Sequence, residues 1–151
     1  MVSFKSPRIC LLPHLTGIGG MASFQSKLAQ GLSARGIEVV YHLQDTPYAS
    51  VLVIGGMRDL LGLGLARQQG VPVIQRLNGM NWIHRRRRTG LRHAVRAEAN
   101  NLVLQFIRRR VATRIVYQSE FARSWWERVH GPAPAPASSS PAIPRPNFWQ
   151  Q

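Results

Sequence analysis

The sequence predicts an α/β fold in which helices cover both faces of a doubly wound parallel sheet. Runs of residues that are apolar throughout recur along the chain, and segments with helical periodicity separate them. Strands buried on both faces of a parallel sheet have this uninterrupted apolar pattern. A glycine-rich turn at residues 14–22 joins the first apolar run to the first helical segment, and folds of this class bind ligands at such turns.

The elements follow one another from residue 8 to about residue 130. The sequence predicts strands at residues 8–13, 37–43, 50–56, 71–77 and 113–119, and helices at residues 20–35, 57–69, about 91–111 and after 119. Gly36 and Gly70 follow the first two helices, where a left-handed backbone conformation is common and favours glycine. The three arginines at residues 108–110 end the long helix, where positive charge suits the helix dipole.

The last helix has its own start signal. Ser119 can cap it by accepting a hydrogen bond from the backbone. Phe121, Trp125 and Val129 recur at a spacing of four, which places them on one side of a helix. We expect Trp125 and Trp126 to be packing residues, one facing the sheet and the other at its rim.

The composition is strongly basic. Twenty Lys and Arg residues against six Asp and Glu residues give a net charge of +14. Lys5 and Lys27 are the only lysines, so the excess is arginine. This balance indicates nucleic acid or anionic lipid headgroups as partners, unless it reflects a solvated surface. Nucleic acid is the less favoured partner, because the sequence has no helix-turn-helix, zinc-finger or RNA-recognition signature.

The single cysteine, Cys10, excludes an intrachain disulfide and is consistent with a reducing compartment. It lies in the first apolar run, where we expect a small buried hydrophobe. We find neither a signal-peptide core nor an apolar run long enough to span a membrane, and we therefore expect a cytoplasmic protein. The five histidines lack metal-ligand spacing, so no metal site is expected.

The composition changes after residue 131. Six of the ten prolines fall between residues 132 and 146, beside a triple serine. A segment of this composition cannot supply a core and is typical of a disordered tail. We expect one folded domain over residues 1–131 and a disordered Pro/Ala/Ser-rich tail over residues 132–151.

The glycine-rich turn has more than one interpretation. Gly17, Gly19 and Ala22 match the G-x-G-x-x-A pattern of dinucleotide-binding folds, but that pattern needs an acidic residue at the end of the second strand. The second strand ends in Tyr-His-Leu-Gln, and Asp45 comes late. The adjacent pair Gly19 and Gly20 lets backbone N–H groups at the helix start approach an anion. A tight turn without a ligand is the alternative.

Three stretches together resemble a known family. GIGGMASFQSKLAQGLSARGIEV, at residues 17–39, looks like the opening of a family 4 glycosyltransferase. VLVIGGMRDLLGLGLARQQGVPVIQRLNG at residues 51–79 and ATRIVYQSEFARSWW at residues 112–126 agree with that family in order and spacing. The resemblance covers about residues 8–131 and is more specific than any single glycine motif.

The resemblance implies the N-terminal, acceptor-side half of a GT-B enzyme, whose two Rossmann-like domains face a cleft. The whole enzyme would transfer a hexosyl-type glycosyl group from a nucleotide-sugar co-substrate to a sugar or lipid acceptor, without a cofactor. Carried over by position, Gly19 and Gly20 would face the donor phosphates. The acceptor side would be lined by residues at the ends of strands one and four, namely His14, Arg76, Asn78 and Gly79. The resemblance assigns no catalytic residue in this chain.

The sequence departs from the family in its second half. The paired glutamates of the family's donor-binding domain have no counterpart here, and the proline-rich segment follows residue 131 in place of a further strand. We therefore expect a truncated, frame-shifted or split glycosyltransferase, and in the split enzyme a separate chain supplies the donor-binding domain. This chain alone is expected to be inactive, because half of the cleft cannot hold donor and acceptor together.

A basic loop precedes the long helix. Its four consecutive arginines are Arg85, Arg86, Arg87 and Arg88, and Trp82 and Ile83 come just before them. Basic residues beside apolar ones predict docking on an anionic membrane, at the inner face of the plasma membrane, or binding of an anionic acceptor. A solvated loop is the alternative.

Two other functions stay open at this point. The first is a non-catalytic Rossmann-like domain that binds a nucleotide or an anionic surface. The second is an NAD-dependent enzyme, which the missing acidic residue disfavours. Titration with nucleotide-sugars and with NAD distinguishes these functions from a glycosyltransferase.

Overall fold

The structure is a computed structural model, and it describes residues 6–79 and 90–134. The predictions for the basic loop at residues 85–88, and for nearly all of the tail, fall outside the described residues.

Five parallel strands form one sheet. The strands are β1 (Arg8–Leu12), β2 (Glu38–Val40), β3 (Ser50–Ile54), β4 (Val73–Leu77) and β5 (Arg114–Tyr117). Their order in the sheet is β2-β1-β3-β4-β5, and every neighbouring pair is parallel. The chain therefore adds β2 on one side of β1 and then reverses to the other side. This is the predicted doubly wound, Rossmann-like sheet.

Four helices accompany the strands within the described residues. They are α1 (Gly20–Ser33), α2 (Leu60–Gln68), α3 (Leu91–Phe106), which continues into a π-helical turn (Ile107–Val111), and α4 (Glu120–His130). Gly36 and Gly70 follow α1 and α2 with φ of 74° and 84°, so the predicted glycine signals are confirmed. The Ser119 hydroxyl oxygen accepts a hydrogen bond of 3.2 Å from the Ala122 N–H, which confirms the predicted cap of α4.

The second helix and the second strand differ most from the prediction, and each is four residues shorter than predicted. The second helix begins at Leu60, because the Asp59 carboxylate caps it by accepting a 2.8 Å hydrogen bond from the Gly62 N–H. The second strand ends at Val40, because its pairing with β1 ends where Cys10 lies beside Val40. The residues that follow β2, up to Ala49, contain no helix.

One face of the sheet carries the main core. Its buried residues are Cys10, Leu12, Val51, Val53 and Val73 from the strands and Leu63, Ile107 and Val111 from the helices. The register confirms the common face, since Cys10 lies beside Val51 and Val51 beside Val73. Helix α2 and the end of α3 therefore cover this face, and Cys10 is the buried hydrophobe that the sequence predicts.

Helix α1 covers the opposite face. The side chain of Arg76 alternates with that of Gln75 along β4, and its guanidinium carbon lies 3.9 Å from the centre of the Phe24 ring of α1. The sheet is thus covered on both sides, as its apolar strands require.

The aromatic residues of α4 divide between core and surface. Trp126 is buried against Leu77 of β4, and Trp125 is half-buried, as predicted for the pair. Phe121 and Val129, which share the spacing of four with Trp125, are 67% and 39% exposed. This spacing therefore marks the outer side of α4, because Ala122 and Trp126 face the sheet.

No helix in the described part of the chain is both long enough and apolar enough to cross a lipid bilayer.

Candidate functional site

The turn between β1 and α1 is held by a buried glutamine. The Gln25 amide nitrogen donates a 2.8 Å hydrogen bond to the Pro13 carbonyl oxygen, and its amide oxygen accepts one of 2.8 Å from the Leu15 N–H. Gly17 completes the turn with φ of 106°, a conformation that side chains rarely adopt. The conformational requirement for glycine therefore lies at Gly17, whereas the backbone at Gly19 is extended.

Helix α1 presents its N-terminal N–H groups to open space. Its first backbone hydrogen bond runs from the Ser23 N–H to the Gly19 carbonyl oxygen at 2.9 Å, so the N–H groups of residues 20–22 precede the helical ladder. Among the described residues, no side chain caps this helix and no acidic residue lies in its first turn. A Cβ atom added at Gly19 or Gly20 would meet no heavy atom within 4 Å. These N–H groups are therefore accessible to an anion.

The start of α1 forms one wall of a cleft of about 440 Å³, which we call the α1 cleft. Its other wall comes from the ends of β4 and β5, with Arg76, Asn78 and Gln118 among the lining residues. Carboxyl ends of parallel strands meet at one edge of the sheet, and this brings distant segments of the chain together. Gly19 and Gly20, predicted to face donor phosphates, thus lie in the same cleft as Arg76 and Asn78.

Arg76 supplies positive charge to the α1 cleft. Its guanidinium stacks on the Phe24 ring, and its Nη1 donates a 2.6 Å hydrogen bond to the Asn78 side-chain oxygen. Burial lowers the pKa of Arg76, but a guanidinium remains protonated in proteins. A fixed cation thus faces the same cleft as the helix N-terminus, and both attract a negatively charged group.

Asn78 is fixed from the other side by α4. The Trp126 indole N–H donates a 2.8 Å hydrogen bond to the Asn78 carbonyl oxygen. The next residue, Gly79, lines a smaller cavity of about 210 Å³ that also includes Asn78 and Gly55. Gly79 therefore does not line the α1 cleft, although its neighbour Asn78 lines both cavities.

His14 lies apart from the other predicted residues. Its ring stacks on that of Tyr41 with the centroids 4.3 Å apart, and the two line neighbouring cavities on the β2 side of the turn. Tyr41 occupies the position directly after β2, where a dinucleotide-binding site needs a carboxylate.

Two residues of the cleft and the turn, Gln118 and Gln25, are not among the predicted site residues. Gln118 lines the α1 cleft directly after β5, and its position at the end of a parallel strand is the sequence signal for this role. Gln25 resembles any polar residue on a helix, and its burial follows from contacts with Pro13 and Leu15 that no local pattern reveals.

Within the described residues, no group of three or more His, Cys, Asp or Glu side chains is arranged to hold a metal ion. Comparison of the chain with protein-family models, with curated proteins and with solved structures finds no significant match.

Proposed function

We propose that this chain is the acceptor-side half of a family 4 glycosyltransferase of the GT-B type. The resemblance of three stretches of sequence suggests this function, and the geometry of the α1 cleft is the observation that supports it. The proposed reaction transfers a hexosyl-type group from a nucleotide-sugar to a sugar or lipid acceptor. The nucleotide-sugar is a co-substrate, and the proposal includes no cofactor.

The α1 cleft has the chemistry that a nucleoside diphosphate requires. The uncapped N-terminus of α1 offers backbone N–H groups at Gly20 and the two residues after it. The Arg76 guanidinium adds a fixed cation on the opposite wall. Oriented donors and a cation stabilise the charge that develops on a leaving diphosphate. In this proposal Gly19 and Gly20 face the donor phosphates, Arg76 contacts the diphosphate from the acceptor side of the cleft, and Asn78 borders the acceptor.

Activity requires a donor-binding domain in addition to the residues described here, either in the same polypeptide or as a separate chain. Donor and acceptor must be held in reactive geometry, which needs both sides of a cleft. We expect a donor-binding domain to be encoded in the same reading frame, in another frame or in a neighbouring gene. Its absence from every frame and every adjacent gene would contradict the proposal.

Titration of the ¹⁵N-labelled chain, followed by NMR, tests the site. Pyrophosphate and nucleotide-sugars are expected to shift the amide signals of Gly19 and Gly20 and the Nε signal of Arg76, with weak affinity. Arg76→Gln should weaken pyrophosphate binding about tenfold, since a charge-assisted hydrogen bond is lost. Arg114→Gln is the matched control. Arg114 is exposed at the amino end of β5, whereas the α1 cleft lies at the carboxyl ends of the strands. Tight binding of NAD would overturn the glycosyltransferase proposal.

A non-catalytic domain that binds a nucleotide or an anionic surface is the second candidate. The uncapped start of α1 and the net charge of +14 favour it. In either candidate, the proposed contact with an anionic membrane is the run Arg85, Arg86, Arg87 and Arg88. This contact would make the protein peripheral to the inner face of the plasma membrane. Tight nucleotide binding without sugar transfer, in the presence of a donor-binding domain, would favour the second candidate over the first.

A further inference from the structure

We propose that a second cavity binds the phosphoryl group of a phosphomonoester. This cavity, which we call the α3 cavity, measures about 500 Å³ and lies between α3 and the loop that follows β3. It shares no lining residue with the α1 cleft. The proposal is therefore independent of the glycosyltransferase function.

The lining of the α3 cavity is rich in hydrogen-bond donors that suit an oxyanion. Arg58 contributes from the loop after β3, and His93, Arg96 and Asn100 contribute from α3. The three residues of α3 are separated by three and four positions, which places them on one side of the helix. Residues that carry two guanidinium groups, an imidazole and a carboxamide thus line one cavity. Arginine pairs with phosphate through two parallel hydrogen bonds, and this makes it the preferred phosphate ligand among cations.

No carboxylate is among the described residues that line the α3 cavity. Asp59 is next to Arg58 in the sequence, but its carboxylate accepts the Gly62 N–H at 2.8 Å and caps α2. Elsewhere, Glu38 pairs with Arg8 at 2.7 Å and Glu127 with Arg123 at 3.0 Å. None of the described lining residues thus carries a negative charge that would balance Arg58 and Arg96. An oxyanion in this cavity therefore meets no repulsion from a described lining carboxylate.

The two walls of the α3 cavity are held together by a buried residue. The Gln75 amide nitrogen donates hydrogen bonds of 3.0 Å to the Gly55 carbonyl oxygen and 3.1 Å to the Leu104 carbonyl oxygen. One bond reaches the loop after β3 and the other reaches α3. At Gly56, a Cβ atom would lie 3.0 Å from Leu104 Cδ2, so glycine lets the loop approach the helix closely. The two backbone segments that carry the hydrogen-bond donors are therefore fixed relative to each other, which lowers the entropic cost of binding.

Isothermal titration of the full chain with inorganic phosphate and with glycerol 3-phosphate, at constant ionic strength, tests the proposal. We expect saturable binding, and about tenfold weaker binding in Arg58→Gln and in Arg96→Gln. Arg92→Gln is the matched control, since Arg92 is exposed on the same helix and does not line the cavity. Ala99→Glu, which adds a carboxylate to the lining, should abolish binding. Circular dichroism of each variant in phosphate-free buffer establishes that it is folded.

Vesicles identify the source of the phosphoryl group. Sedimentation with phosphatidylcholine vesicles that contain phosphatidic acid, but not with those that contain phosphatidylglycerol, would identify a lipid phosphomonoester. Binding of glycerol 3-phosphate without sedimentation would identify a soluble one. Equal losses of affinity in Arg58→Gln, Arg96→Gln and Arg92→Gln would overturn the proposal, because they would show attraction by net charge alone. Absence of binding in every arm would overturn it as well.

Discussion

The indole N–H of Trp126 donates a 2.8 Å hydrogen bond to the carbonyl oxygen of Asn78, which lies 48 residues earlier in the chain. Trp126 is buried and also packs against Leu77, so α4 contacts the end of β4 through both a hydrogen bond and apolar packing. Asn78 in turn accepts the hydrogen bond of Arg76. The last helix therefore fixes the wall of the α1 cleft that faces the start of α1, although Trp126 does not line the cleft itself.

Replacement of Trp126 by Phe is expected to lower the free energy of unfolding by about 2 kcal/mol, because the Asn78 carbonyl loses its donor and the core loses part of a ring. Urea unfolding followed by circular dichroism measures the change. Trp125→Phe is the control. Trp125 is half-buried and makes an edge contact with Phe121 at 5.2 Å, which Phe can retain, so its cost should stay under about 1 kcal/mol. Equal costs for the two variants would contradict the assigned role of Trp126.

The fold could be predicted from the sequence because its signals are local. Apolar runs, helical spacing and a glycine after each of the first two helices all occur within short windows of the chain. The meeting of Gly19 with Arg76 also follows from a general rule, since parallel strands end at one edge of the sheet.

Other features depend on contacts between distant residues and have no local signal. Gln75 looks like a solvent-facing residue in a strand, yet it is buried and bonded to carbonyls 20 and 29 residues away. The α3 cavity lies between the two elements that Gln75 joins, α3 and the loop after β3. The cavity therefore could not be predicted before α3 was docked on the sheet.

Two glycines of α2 are expected to respond in opposite directions to alanine. A Cβ atom at Gly64 would meet nothing within 4 Å, so Gly64→Ala should raise the free energy of unfolding by about 0.5–1 kcal/mol through helix propensity. At Gly62 the Cβ would contact the Asp59 carboxylate and lie 2.6 Å from Leu43 Cδ1. Gly62→Ala should therefore disturb the cap of α2 and cost about 1 kcal/mol. Thermal unfolding of both variants measures the direction of each change in stability. If both variants became more stable, or both less stable, this description of α2 would be refuted.

The thiol of Cys10 is expected to be unreactive in the folded protein. Burial raises its pKa from 9.0 to about 12, and the thiol donates to the His42 carbonyl oxygen at 3.6 Å. The thiolate is the reactive species, so at pH 8 its fraction falls about a thousandfold. Ellman's reagent should label the chain in urea at the rate of a small thiol and label the native chain far more slowly. Equal rates in the two states would show that Cys10 is accessible.

The same thiol should make stability depend on pH in alkaline solution. Between pH 9.0 and about 12 the unfolded chain loses the thiol proton while the folded chain keeps it. Stability therefore falls as pH rises through this range, by at most about 1.4 kcal/mol per pH unit, and the thiol has no effect below it. Urea unfolding at pH 8 and pH 10 measures the slope. Cys10→Ala lacks the titrating group, so its slope should be smaller than that of the parent chain, and identical slopes would contradict the prediction.

One of the three arginines at the end of α3 has a structural role that the helix dipole does not explain. Arg108 is 1% exposed. Its Nη2 donates to the Gly131 carbonyl oxygen at 2.6 Å, and its Nε donates to the Tyr117 hydroxyl at 3.2 Å. The guanidinium thus joins α3 to β5 and to the end of α4.

Arg108→Ala should lower the free energy of unfolding by about 3 kcal/mol, because it leaves a cavity and removes the donor to two partly buried acceptors. Arg110→Ala is the matched control, since the Arg110 side chain is exposed and its main-chain acceptor for Arg67 is retained. The control loses only the interaction of a cation with the helix dipole, worth less than about 1 kcal/mol. Urea unfolding of the two variants measures the difference. If their stabilities matched, the interaction with the helix dipole that the sequence predicts would describe all three arginines, and Arg108 would not hold the end of α4 against the sheet.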